Sequence, residues 1–312
     1  MELKLKKMNR KGVFFTILTI AILSLFIISY LIYTSSESQD SVEKRINTLS
    51  SFVSATEVDL DRKMYISGFR SIFIFERTIV ETGNYVNVSA GFNELFFNGT
   101  LNGVAQSLTD DAKFSDVQES VRQNGNEMNV NVTLANPKVQ ISQDDPWRVK
   151  ITLISDFTAQ DIGNVVSWNK TLTTVAYIPI DNFEDPVYFV STAGKVINKI
   201  NKTIYQPFSP INVANLTNHL QGSFYIASNK APSFLDRLQG NLTGNSAQGI
   251  ESLVNLETLT SQGIPARQKS CVDYIYFSSQ NPPSNKVTGM PSWFWVDVAH
   301  QGDYNVTGLV IP

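Results

Sequence analysis

The side chains best equipped for chemistry are few and scattered. His219 and His300 are the two histidines, and each stands alone in the sequence, without the paired spacing that metal ligands show. Cys271 is the single cysteine. It heads the apolar run CVDYIYF, which reads as a strand with a small buried thiol. A Cys271–His300 pair stays open, although no thiol-enzyme motif surrounds either residue. Asp144-Asp145 and Glu184-Asp185 are carboxylate pairs, each followed by Pro, and Asp110-Asp111 is a third. Glycoside hydrolysis needs two carboxyls facing one cleft, and a calcium loop needs Asp, Asn and Gly at set intervals. A shared cleft is not visible in sequence, and Asp110-Asp111 and Asp144-Asp145 only hint at a calcium loop, so these acids read as turn and cap residues. Trp293-Phe294-Trp295 alternates, which puts both indoles on one face of a strand. Trp293 and Trp295 are therefore candidates for stacking on sugars, with core packing as the competing role. There is no Gly-rich phosphate loop. The expectation is a protein without catalytic, cofactor-binding or metal-binding residues, and so not an enzyme.

The repeated signal is Asn-x-Ser/Thr, at Asn87, Asn98, Asn131, Asn169, Asn201, Asn215, Asn241 and Asn305. These are candidate N-glycosylation sites, although the triplet is weak by itself. Asn131 lies mid-strand and qualifies only if it points to water.

All eight follow one organising stretch, GVFFTILTIAILSLFIISYLIY, from Gly12 to Tyr33. No charge falls between Lys11 and Glu37. About 20 apolar residues cross a hydrocarbon core of roughly 30 Å. Lys4, Lys6, Lys7, Arg10 and Lys11 precede the stretch against one acid, Glu2. Basic flanks stay on the cytoplasmic side. The reading is a single transmembrane helix over 13–34, a cytoplasmic leader over 1–12, and an exterior after about residue 34.

The junction Arg10-Lys11-Gly12-Val13-Phe14-Phe15-Thr16 resembles the class III signal of type IV pilins, over about residues 8–35. In that family a dedicated peptidase cuts after the Gly that ends a short basic leader. The resemblance implies processing between Gly12 and Val13, with the apolar helix retained as an anchor and, in pilins, as a filament core. Bacterial major pilins carry Glu at the fifth mature position, where this chain has Ile17. That departure points to a minor-pilin-like or simply anchored role. The short Lys-Gly leader, one span and Asn-rich exterior together resemble archaeal surface proteins.

The net charge of the 312 residues is −3. With the basic leader set aside, the remainder is acidic, which excludes a nucleic-acid-binding face. One cysteine permits no intrachain disulfide, so the exterior must be held by its apolar core.

Beyond the span, Val42, Ile46, Leu49, Val53, Thr56, Leu60, Met64, Gly68, Ile72, Phe75 and Ile79 step by three or four. This predicts a stalk helix over 35–83, interrupted near Ser35–Asp40 if anywhere, with Thr56 and Gly68 as its weak positions. Asp110 or Asp111 is the expected cap of a helix reaching Gln123, stopped by Asn124-Gly125. Period-two alternation then predicts three antiparallel strands, over Met128–Leu134, Val149–Ser155 and Val165–Ile180. They form a β-meander domain over 84–186, closed by the turn at Asp181–Pro186. A second α/β region over 187–312 has expected strands at Val187–Ser191, Val196–Ile200, Ser223–Ala227 and Cys271–Phe277. Ser292–Val298 pairs with one of these, and helices fall at Val213–Leu220 and Ser233–Leu238.

The expected fold is α+β, a transmembrane helix continuing into a stalk packed on an antiparallel β-rich exterior. The expected function is a non-enzymatic surface protein with a structural or adhesive role. Its partners are the lipid bilayer and either other pilin-like subunits or envelope glycans, and not nucleic acid. The alternatives are an anchored glycan- or envelope-binding module that does not polymerise and, behind it, an anchored hydrolase.

Overall fold

The computed structural model describes residues 10–311, with the backbone alone at 10–13 and 35–40. The leader before Arg10 lies outside the described residues. Helix α1 runs unbroken from Arg10 to Thr82, 73 residues, or about 110 Å at 1.5 Å per residue. It passes through Ser35–Asp40 without a break. It stops at Gly83, whose φ of 69° suits glycine and whose N–H bonds the Ile79 carbonyl at 2.8 Å.

The helix changes character along its length. Phe14–Thr34 is 21 residues of mean hydropathy 2.5, none buried, and is long and apolar enough to cross a membrane. Thr19 and Thr34 return their hydroxyls to the carbonyls of Phe15 and Tyr30, which satisfies them within the helix. From Leu49 onward one stripe is buried: Leu49, Val53, Leu60, Met64, Ile72, Phe75 and Ile79. Ile46 fits the same spacing but is exposed. At that level its neighbour Arg45 reaches the sheet, pairing with Asp161 at 2.7 Å.

Helix α2 (Val88–Asn98) begins at Asn87, whose side chain accepts from the Ala90 N–H. A hairpin, β1 (Thr100–Leu101) and β2 (Val104–Ala105), precedes α3 (Phe114–Glu127). The cap of α3 corrects the sequence expectation. Lys113 is the N-cap residue, and Asp116 reaches back to its N–H at 3.2 Å. The Asp110 carbonyl instead accepts from Arg70, and Asp111 takes a turn conformation at φ 62°. Nor does Asn124-Gly125 stop the helix. Gly125 is buried within it, where a Cβ would stand 2.6 Å from the Val130 carbonyl oxygen.

Strands β3 (Val130–Asp145), β4 (Arg148–Asp161) and β5 (Ser167–Pro179) form an antiparallel sheet in that order. The expected meander is present, with a first strand longer than expected. β3 continues through Pro137 because the register shifts between Ala135 and Lys138, a bulge that tolerates the missing N–H. Val132, Leu134, Ile151, Leu153, Phe157, Leu172, Ala176 and Ile178 fill the buried face, against α1 and α3. Asp161 closes the β4–β5 turn by accepting from the N–H groups of Gly163, Val165 and Val166. Asp144 pairs with Lys150, and Asp145 with Arg148 and the Trp147 N–H, at the β3–β4 turn.

The remaining chain is built of short elements. They are α4 (Pro186–Ser191), α5 (Ala214–Gln221), β6 (Tyr225–Ala227), α6 (Phe234–Leu238) and β7 (Ile250–Ser252). Then come α7 (Leu256–Ser261), α8 (Asp273–Phe277), β8 (Ser284–Val287), β9 (Trp295–Asp297) and β10 (Val310–Ile311). Two expected strands are helices. Val187–Ser191 is α4, with Asp185 as N-cap and Pro186 at the first position, where its missing N–H costs nothing. Cys271–Phe277 becomes α8, buried on all sides from Asp273 to Tyr276. Val196–Ile200 makes only one bridge, Lys199 to Glu184. β9 pairs with β8, and only the Cys271 N–H, bonded to the Trp295 carbonyl, joins it to an expected partner. The core around α1 runs on through Phe183, Ile200, Tyr225, Phe234 and Ile250. A second core gathers Leu216, Leu253, Val272, Phe294, Val296 and Val306.

Candidate functional site

The polar groups the fold brings together lie where α4, α6, α8 and β7 meet. Arg237 of α6 is fully buried. Its guanidinium donates to Asp185 at 2.6 Å, to both Asp273 oxygens at 3.1 Å, and to the Ile250 carbonyl. Asp185 also accepts from the Tyr225 hydroxyl at 2.8 Å, and Asp273 from the Ser252 hydroxyl at 2.7 Å. Burial works against the Arg237 charge, but Asp185 and Asp273 outweigh it and hold the guanidinium above its ordinary range. This centre ties four elements together by a charge fork.

One residue along from it lies a second cluster. Asp297, on β9, grips His300 Nδ1 at 2.7 and 2.9 Å. The Ser270 hydroxyl donates to the other side of Asp297 at 2.7 Å. His300 Nε2 meets the Tyr274 hydroxyl at 3.0 Å and lies 3.3 Å from Glu251 Oε2. Glu251, on β7, is fully buried, and neither of its oxygens makes a well-formed hydrogen bond, although the Tyr304 hydroxyl faces it. Burial lowers the His300 pKa, but Asp297 and Glu251 overcome it and push it up to about 10. Glu251, His300 and Asp303 each offer a ligand atom, all within 4.8 Å of one another. His300, alone in the sequence, is thus a buried member of a polar cluster in the fold. The local signal for it is Asp297-x-x-His300-x-x-Asp303; Glu251 sits in no motif.

Other expected residues take quieter places. Cys271 is buried, its thiol pushed up to about 12 by burial, and shares no hydrogen bond with His300 among the described residues. His219 is a core residue between Phe208 and Tyr304. Its Nδ1 meets the Thr203 hydroxyl, and burial lowers its pKa to about 4. Trp293 and Trp295 take different partners, because β9 begins only at Trp295. Trp293 donates to Glu257 at 3.0 Å, whereas Trp295 lies 5.1 Å from the Lys286 ammonium. Trp295 also lines a polar groove of about 360 Å³ with Gln268, Lys269 and Asn281.

Asn87, Asn98, Asn131, Asn169, Asn215, Asn241 and Asn305 are exposed and Asn201 is half-buried. Asn131 points to water, although the Asn305 amide donates to the Phe208 carbonyl at 2.9 Å. Gly12 and Val13 fall in the first turns of α1.

A groove the sequence does not announce runs beside α1. Phe69, Phe73, Glu76, Ile197 and Lys199 line about 520 Å³. Burial, and then Glu184, raises Glu76 to about 9. No protein family, curated protein or solved structure matches this chain.

Proposed function

We propose that the chain is a non-enzymatic, single-pass surface protein of pilin-like N-terminal design. The observation that carries this reading is the division of α1. Phe14–Thr34 is apolar on every face and uncovered, while Leu49–Ile79 is built into the core of the folded region. Water tolerates no such 21-residue surface; a bilayer, or neighbouring apolar helices, covers it. The basic residues before the span keep the N-terminus cytoplasmic, and the β-rich region is outside. The leader is removed after Gly12, so the mature chain begins at Val13. The folded region makes structural or adhesive contacts at the cell surface, and the exposed asparagines carry glycans.

The groove beside Trp295 supports a second reading, an anchored glycan-binding module that does not self-assemble.

Topology is tested by labelling cells with an impermeant thiol reagent in a Ser38→Cys variant. Native Cys271 is buried and stays silent. Labelling of intact cells is expected; labelling only after the cells are permeabilised contradicts the reading. Sizing of the detergent-solubilised protein then separates the two roles, since self-assembly gives species larger than one chain and the binding module stays single.

A further inference from the structure

Glu251 is an anomaly in electrostatic terms. A buried carboxylate is tolerated when it is paired, hydrogen-bonded or bound to a metal. Glu251 has no solvent exposure and no well-formed hydrogen bond on either oxygen; it faces His300 Nε2, 3.3 Å from Oε2, and the Tyr304 hydroxyl, which is itself without a well-formed bond. Around it, the carboxylates of Glu251, Asp297 and Asp303 share one imidazole and the Lys230 ammonium. Negative charge is in excess even with His300 protonated.

His300 is oriented as a ligand would be. A metal-binding imidazole usually donates its second ring N–H to a carboxylate, which fixes the tautomer and the ring plane. Asp297 does this at His300 Nδ1, and Ser270 in turn holds Asp297. Nε2 is thereby aimed at Glu251, and Asp303 completes a set whose ligand atoms all fall within 4.8 Å of one another. Ligand bonds of about 2.0–2.2 Å place the ligand atoms of a tetrahedral ion about 3.3–3.6 Å apart, so the set draws in slightly to hold one.

We propose that Glu251, His300 and Asp303 bind one divalent transition-metal ion. The ion displaces the Nε2 proton of His300, which leaves to solvent, and with it the contact to the Tyr274 hydroxyl; it takes Asp303 from Lys230, which now holds it at 2.7 Å. Asp303 is the solvent-facing ligand, one-third exposed, and gives the ion its way in. With His300 neutral, the two positive charges remove the excess. One imidazole with two carboxylates suits Zn²⁺, Mn²⁺ or Fe²⁺ and discriminates against Ca²⁺ and Mg²⁺, which prefer oxygen ligands alone. The ion clips β7 to the segment after β9, in a chain whose single cysteine allows no disulfide.

The test uses the full chain in detergent, without a histidine tag, stripped with EDTA and dialysed against ZnCl₂ and, separately, CaCl₂. About one Zn²⁺ per chain is expected by elemental analysis, with a rise in Tm that EDTA reverses. Ca²⁺ leaves Tm unchanged. Asp303→Asn, at a partly exposed position whose folded-state partner is the surface Lys230, weakens Zn²⁺ binding by about tenfold or more, and so does Asp297→Asn through His300. Circular dichroism confirms that each variant is folded. No retained Zn²⁺ and no Tm response overturns the proposal. So does wild-type affinity in Asp303→Asn, which would place the ion elsewhere.

Discussion

Gly68 of α1 sits so close to Ile151 of β4 that a Cβ there would stand 2.6 Å from Ile151 Cγ1 and 2.7 Å from Ile178 Cδ1. A glycine that looks like a flaw in the helical stripe is therefore a point where helix and sheet approach too closely for a side chain. Gly68→Val forces both isoleucines aside and is expected to cost about 1–3 kcal/mol. Thermal unfolding of the full chain in detergent reads this. An unchanged Tm would mean that the helix does not press on the sheet there.

The buried stripe makes a companion prediction. Leu60→Asp or Ile72→Asp places a charge at a position with no exposure, with an expected loss of about 3 kcal/mol or more. Lys63→Asp replaces a surface pair with Asp59 by a like-charge neighbour and is expected to cost about 1 kcal/mol or less. Denaturant midpoints compare the variants. Equal midpoints would put the wrong face of α1 inward.

Much of this framework is legible in the sequence because its signals are periodic. The 3.6-residue stripe of α1 and the alternation of Ile151, Leu153 and Ser155 both report which face is buried. Thr56 and Gly68 look weak only because apolarity was the measure; both are buried, Thr56 bonding its hydroxyl back to the Phe52 carbonyl. Short apolar runs are different. CVDYIYF fits a strand or a helix equally, and periodicity does not separate them. For Val187–Ser191 the caps did hold the answer, since Asp185-Pro186 is a helix start. The ionic centre escapes such reading altogether. Asp185, Arg237, Glu251 and His300 are brought together by tertiary folding, and no local pattern announces long-range pairing.

That centre predicts a large penalty. Arg237→Met leaves Asp185 and Asp273 buried without their cation, and is expected to cost about 3–5 kcal/mol. Arg237→Lys restores a charge but not the fork to two Asp273 oxygens, and should recover part of the loss. Urea unfolding measures both. Stability equal to wild type in Arg237→Met would show that the network is dispensable.

The pH dependence follows from two buried groups of opposite sign. Glu76 is raised from 4.5 to about 9, so the folded chain keeps a proton that the unfolded chain releases. Its contribution is complete below pH 4.5 and is lost as pH rises towards 9. His219 is lowered from 6.5 to about 4, so its contribution is present above 6.5 and is lost as pH falls through 4. Glu76→Gln should remove the Glu76 contribution to the fall in stability between about pH 4.5 and 9 and leave the profile below pH 4.5 unchanged. An unchanged slope over that range in urea midpoints would contradict the burial of that carboxyl.

The central claim is that one helix is both membrane span and core element. Co-flotation of the full chain with phospholipid vesicles in a density gradient tests it most directly, beside a variant carrying Ile20→Lys, Leu23→Lys and Ile27→Lys. These three residues are exposed and make no contact with the folded core, so the variant should fold normally. The account predicts that the parent chain floats with the vesicles and resists alkaline extraction, while the lysine variant stays at the bottom. A parent chain that remains at the bottom with the variant, both folded, would contradict it.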